Sequence, residues 1–270
     1  PAYTGVYYDQ PTNFPFGTVD GVSRESGGAS DNLVPERTKG FEAGTELRFF
    51  QNRLGLDFTV YKQNSFNQIL PVPVAQSSGF NTFVLNAGEI ESKGFEALLT
   101  ITPVKTKNFN WDLTVNFSQV DTEVLSLPDG IDEIVFVDSG FAGVISKLEK
   151  GGSIGDLYGY DWNRNENGER LIGSNGLPSL NTGERVILGN AMPDWLGSIQ
   201  HTLSYKGLSL SLLLERKQGG DLYDSSQRNS IRNGILAVTE TRYQDIIIDG
   251  VLADGTPNNI PVLADQNYYR

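Results

Sequence analysis

Residues 38–50 read TKGFEAGTELRFF, and after Gln51-Asn52-Arg53 the chain continues as LGLDFTVYKQN over residues 54–64. Phe41, Ala43, Thr45, Leu47 and Phe49 share one parity; Glu42, Gly44, Glu46 and Arg48 share the other. In the second run Leu54, Leu56, Phe58 and Val60 alternate with Asp57, Thr59, Tyr61 and Gln63. Alternation of period two marks a strand with one apolar and one polar face, so the two runs predict a β-hairpin. The pattern recurs twice. GFEALLTI (94–101) and FNWDLTVNFSQ (109–119) flank a turn expected at Pro103–Asn108, and WLGSIQHTLSY (195–205) and LSLSLLLER (208–216) flank Lys206-Gly207. The pattern predicts strands at 38–49, 54–66, 92–102, 109–122, 194–205 and 208–219, antiparallel between sequence neighbours.

The connections between these strands alternate in length. Turns within hairpins are short, whereas the segments 64–92, 121–193 and everything after Gly219 are long. Such alternation fits an up-and-down transmembrane β-barrel, with tight turns on one rim and extracellular loops on the other. Aromatic residues gather near both strand ends: Phe49, Phe50, Phe109, Trp111 and Tyr205 toward the short turns, Tyr61, Phe66 and Trp195 toward the long loops. Bilayer interfaces favour such bands. The predicted fold class is therefore all-β, a segment of an antiparallel transmembrane barrel with long extracellular loops. The rival architecture is a soluble secreted β-sandwich serving as a carbohydrate-binding or adhesive module. Within the long loops, Asp224 and Gln227 resemble a capping box ahead of Ile231, Ile235 and Val238, which predicts a short helix after Ser225.

The chain of 270 residues carries 33 acidic against 21 basic side chains, a formal charge of −12. An acid excess of that size gives nothing to neutralise nucleic-acid phosphates and no polybasic membrane patch. Cysteine is absent, which removes disulfides, thiolate metal sites and a cysteine nucleophile. No apolar run approaches the ~20 residues of a spanning helix, but a barrel strand needs only ~9–11 alternating residues. Pro1 is followed by no charged and apolar leader, so no signal peptide is visible.

Motifs with chemistry are few. Asp161-Trp-Asn163-Arg-Asn165-Glu-Asn167-Gly168-Glu169 alternates oxygen ligands as a calcium loop does, but Glu166 stands where an EF-hand has glycine, and a polar turn explains the run as well. His201, the single histidine, lies mid-strand on the parity of Ile199 and Leu203, with no nucleophile or carboxylate patterned beside it. Gly151-Gly152-Ser153-Ile154-Gly155 lacks the lysine of a phosphate loop and reads as a turn. No catalytic residue, metal ligand or cofactor is expected, and the chain is read as non-enzymatic. Glu42, Glu46, Arg48, Asp57, Glu96, Asp112 and Asn116, spread along the polar faces of four strands, are instead the candidate lining of a hydrated lumen, in contact with substrate.

The run Pro35-Glu36-Arg37-Thr38 leading into FEAGTELRFFQNRLGLDFTVY resembles the C-terminal barrel region of SusC/RagA-type TonB-dependent outer-membrane transporters of Bacteroidetes. So do, in order, QILPVPVAQSSGF, NAGEIESKGFEALL, GDLYGYDW, LGNAMPDW and ERKQGGDLYD, which together cover most of the chain. The resemblance implies a 22-stranded barrel in the Gram-negative outer membrane, importing glycan or peptide oligomers with a SusD-like surface lipoprotein and energised through TonB. It further implies that residues 1–270 are part of a single barrel domain, an internal piece whose plug and last strands lie elsewhere. Pro1–Asn32 would be a strand end and surface loop, and Asp265–Arg270 a loop. A sheet of six strands with a lipid-facing stripe leads toward the same expectation, because open edges are not tolerated in hydrocarbon.

Overall fold

The computed structural model describes residues 8–9, 23–24, 27–138, 143–265 and 268. Most of Pro1–Asn32 and of Asp265–Arg270 therefore lies outside the described residues, and with it the loop readings made for them. The chain divides into two compact units. The first comprises residues 1–137, 146–156 and 190–220; the second comprises 138–145, 157–189 and 221–270.

The first unit is dominated by six long strands: β1 (Arg37–Phe49), β2 (Leu54–Phe66), β3 (Glu89–Lys105), β4 (Phe109–Ser126), β5 (Pro193–Tyr205) and β6 (Leu208–Gly219). Each pairs antiparallel with its sequence neighbour, giving the order β6-β5-β4-β3-β2-β1. The tight turns match the local chemistry. At Lys206-Gly207 both residues have positive φ, 45° and 89°, the combination that matches the twist of a two-residue hairpin.

Two strands run further than the alternation predicts. β3 continues through Pro103 to Lys105, so the expected turn at Pro103–Asn108 is corrected to Thr106–Asn108. A proline removes a ladder donor and is admitted into a strand only at an edge or bulge. Here the register slips between Ile101 and Val104, opposite Asp112. The Arg53 side chain donates to the carbonyls of Thr102 (3.1 Å) and Pro103 (2.7 Å) from the adjoining turn, so the bulged backbone stays satisfied. β4 likewise extends to Ser126.

Register fixes the faces. Leu54 lies opposite Ile101, Ile101 opposite Leu113, Leu113 opposite His201, and His201 opposite Leu212. Residues directly opposite share a face, so Leu54, Leu56, Phe58, Leu113, Val115, Leu208, Leu210 and Leu212 all stand on one side, as expected. No second sheet covers that side among the described residues. Leu208, Leu210 and Leu212 are 76 %, 53 % and 51 % exposed, which removes the sandwich reading. The buried core of this unit lies instead at the long-loop end of the sheet. Val72, Ala87, Val124, Ile134 and Leu148 cluster there, around a small sheet in which Ile69–Pro73 pairs with Thr82–Asn86 and Thr82–Asn86 with Gly27–Ala29. Asn86 ties this sheet to the entrance of β1 by exchanging hydrogen bonds with the Val34 backbone at 2.9 and 2.8 Å.

The second unit has its own core of Ile172, Ile248 and Val262. Successive turns at Asn165–Gly168 and Gly173–Gly176 fold residues 161–181 back on themselves, and Ile172 and Val251 join this segment to the chain near residue 250. A helix forms where the capping box predicts its start, as α1 (Ser225–Arg232), with the Asp224 carboxylate accepting from the Gln227 N–H at 2.9 Å. It ends before Ile235 and Val238, so the expected spacing is corrected to Ile231 alone within the helix.

Candidate functional site

All seven sequence candidates stand on the polar side of the sheet. Glu46, Asp57, Leu98, Asn116 and Ser198 follow one another across five strands, with Glu215 next on β6. The row above carries Gly44, Thr59, Glu96 and Ser118. Asp57, Glu96 and Asn116 thus surround one shallow trough, together with Thr59, Leu98 and Ser118. Asn116 donates to the Ser198 hydroxyl at 3.2 Å across the trough's edge. Glu46 is engaged by Arg48, guanidinium to carboxylate at 2.7 Å, and the Arg48 side chain lies over Gly55, where a Cβ would collide with it.

Two candidates sit apart from the trough. Glu42 is in the row of Tyr61 and Gly94 toward the long-loop rim. Asp112 belongs to the short-turn end, where it accepts from Thr102 at 2.7 Å and from Asn110. Around it the polar side carries hydroxyls in pairs, Thr202 with Ser211 at 3.1 Å and Ser204 with Ser209 at 3.3 Å. Near the tight turn of β5 and β6 the polar side is therefore hydroxylated, beside the Asp112 carboxylate. No nucleophile is hydrogen-bonded to a base among these residues.

Sequence reasoning missed how the apolar side is ordered. Phe58, Phe95, Phe117 and Trp195 form a continuous ladder across four strands, with ring centroids 6.0, 5.6 and 5.4 Å apart, and the Arg216 guanidinium lies over the Trp195 ring at 5.6 Å. Beyond it the same face turns charged, with Lys62 paired to Glu91 at 2.9 Å. Parity alone showed each ring as apolar; only the strand register aligns them. Tyr61 stands on the polar side over Gly94, as its parity predicts. His201 stands on the apolar side, stacked on Trp111 at 6.0 Å, with the indole N–H donating to Nδ1 at 3.3 Å. The oxygen-rich run at Asp161–Glu169 forms a turn closed by Asn165, whose Oδ1 accepts the N–H groups of Asn167 and Glu169 at 3.0 and 2.9 Å. The Gly151-Gly152 run is a turn pinned to the end of β4 by a pair of backbone hydrogen bonds with Val124.

Residues 1–234 match the family described as TonB dependent receptor-like, beta-barrel. The chain belongs to that family. TonB-dependent receptor P3 of Formosa agariphila is 28 % identical over 216 residues, covering 72 % of this chain and 21 % of that receptor. The TonB-dependent receptor SusC of Bacteroides thetaiotaomicron is 25 % identical over 237 residues, covering 82 % and 23 %. Among solved structures, the RagAB peptide importer in its closed-closed state superposes with a TM-score of 0.61 at 20 % identity, covering 80 % of this chain and 24 % of that one. The chain thus spans about a quarter or less of the length of these relatives. As a TonB-dependent receptor barrel segment, its six-stranded sheet is a stretch of barrel wall, and among the described residues β1 and β6 are its edges. The described residues include no helix long and apolar enough to cross a membrane, which has no bearing on a protein that crosses with strands.

Proposed function

We propose that this receptor segment forms part of the wall and extracellular loops of an outer-membrane importer of glycan or peptide oligomers, working with a SusD-like surface lipoprotein and powered through TonB. In this reading residues 1–270 belong to one barrel domain, and the second unit is built from its long loops. The apolar side faces lipid. The polar side, with Glu42, Glu46, Arg48, Asp57, Glu96, Asp112 and Asn116, lines the hydrated lumen through which substrate passes.

The observation that carries the reading is a sheet apolar on one side and charged on the other, whose leucines on the apolar side of β6 stay exposed with no second sheet over them among the described residues. An uncovered apolar side needs an apolar solvent, and a carboxylate-rich side needs water; a transmembrane barrel supplies both. Binding and passage rather than chemistry fit a polar side on which Glu46 meets Arg48 and Asp112 meets Thr102 and Asn110. The test is uptake of labelled oligopeptide and oligosaccharide pools by cells with and without the full-length gene. Uptake of one pool should fall on disruption and on collapse of the proton-motive force, with the protein in the outer-membrane fraction. Unchanged uptake, or recovery of the protein in the soluble fraction, overturns the proposal.

A further inference from the structure

The second unit contains a cavity of about 580 Å³, within the size range of small-ligand pockets. Its construction is local. The segment 161–181 contributes Trp162, Arg170 and Leu177; α1 contributes Arg228 and Ile231, three residues apart on one helical face; and Ile248 reaches it from the unit's core. Among the described residues the lining holds two guanidinium groups and no carboxylate, in a chain whose net charge is −12. The remaining surface is aliphatic apart from aromatic rings. The Arg170 Nε is fully buried and meets no hydrogen-bond acceptor among the described residues. A buried donor without an acceptor is costly, which favours a counter-charge beside the Arg170 guanidinium.

We propose that this cavity is a binding site for a hydrophobic peptide end, with its free carboxylate on Arg170, on the side of Arg228, and its last apolar side chain among Leu177, Ile231 and Ile248. The inference deepens the import reading by naming a substrate class, and rests on it for its physiological meaning. A planar carboxylate matches the guanidinium fork, which favours an acid over a neutral ligand. Aliphatic walls favour a leucine-like or phenylalanine-like side chain over a hydroxylated ring. A neutral glycan would bring Arg170 no counter-charge and would bury its hydroxyls against hydrocarbon.

The test uses the full-length protein in detergent and isothermal titration calorimetry with three probes: the peptide Leu-Leu-Val-Leu with a free C-terminus, the same peptide as its C-terminal amide, and trigalacturonate. The free acid should bind at least about ten-fold more tightly than the amide, as expected when a charge-assisted pair is lost. Arg170→Met should erase that difference, and Ile231→Trp, which fills the cavity, should weaken acid and amide alike. The acid-to-amide comparison on the native protein needs no variant and stands even if a variant misfolds. Absence of saturable peptide binding, equal affinity for acid and amide, or tighter binding of trigalacturonate each overturns the proposal. Peptide uptake measured in parallel separates the two readings. Binding without any gene-dependent uptake refutes import alone, and uptake without cavity binding refutes the cavity assignment alone.

Discussion

Gly94 lies opposite Val120 toward the long-loop rim of the wall, with the Tyr61 ring across it. A Cβ at this position would run into the Gln119 carbonyl and stand 2.7 Å from the Tyr61 hydroxyl oxygen. The first obstacle is backbone and cannot give. Gly94→Ala should therefore destabilise the full-length protein by about 1–3 kcal/mol, the usual cost of overpacking. Gly40→Ala, whose Cβ would meet the flexible Gln63 side chain first, at 3.3 Å, should cost far less. Urea unfolding of both variants in lipid vesicles measures this, and equal losses would refute it. Lys147 gives a pH prediction. Its side chain, 11 % exposed, holds Glu133 at 2.7 Å and Glu149 at 2.6 Å. Burial, the largest single influence, acts to lower its pKa, but hydrogen bonds to the two carboxylates outweigh it and leave the pKa above the ordinary lysine value of 10.5. A raised pKa means that the stabilisation is complete below that ordinary value and disappears as pH climbs through the folded one. Native protein should lose thermal stability in that alkaline interval more steeply than Lys147→Met. Parallel curves for the two would show that the lysine pair contributes nothing.

Strand β6 offers a direct comparison of the two sides. Leu212 stands opposite His201 on the apolar side and Ser211 opposite Thr202 on the polar one. Leu210 shares the side of Leu212 but lies nearer the tight turn at Lys206-Gly207. An arginine facing lipid costs about 2–4 kcal/mol at the bilayer midplane, falling to about 0–1 near the interface. Stability in bilayers should thus fall most for Leu212→Arg, less for Leu210→Arg and least for Ser211→Arg. A Ser211→Arg variant as damaging as Leu212→Arg would mean that both sides are dry. The aromatic ladder from Phe58 to Trp195 marks where the apolar band ends on the loop side, because Lys62 and Glu91 pair just beyond it. Rings followed by charge are what the headgroup depth selects.

For the whole molecule, the open ladders of β1 and β6 and the uncovered leucines make one prediction together. Residues 1–270 expressed alone in detergent-free buffer should aggregate, and size-exclusion chromatography showing a monodisperse monomer would overturn the barrel reading. Much of this architecture was legible in advance, and for a physical reason. Side chains along a strand point to opposite sides in turn, so Phe41 to Phe49 and Leu54 to Val60 declare their sides without any partner. The hairpin order followed too, because tight turns such as Lys206-Gly207 force sequence neighbours to pair. The strands, their facing and the side on which Glu46, Asp57, Glu96 and Asn116 stand were thus readable from the chain alone. The bulge that admits Pro103 was not, since the Arg53 side chain that satisfies it comes from a different hairpin. Nor was the grouping of Asp57, Glu96 and Asn116 in one trough while Asp112 stands apart, because that depends on register between strands far apart in the chain. The arginine-lined cavity was equally hidden: Arg228 stands on α1, but Arg170 comes to line the same cavity only through the packing of the irregular segment 161–181, which has no period to read. Local alternation decides which way a side chain points; only tertiary packing decides which side chains meet.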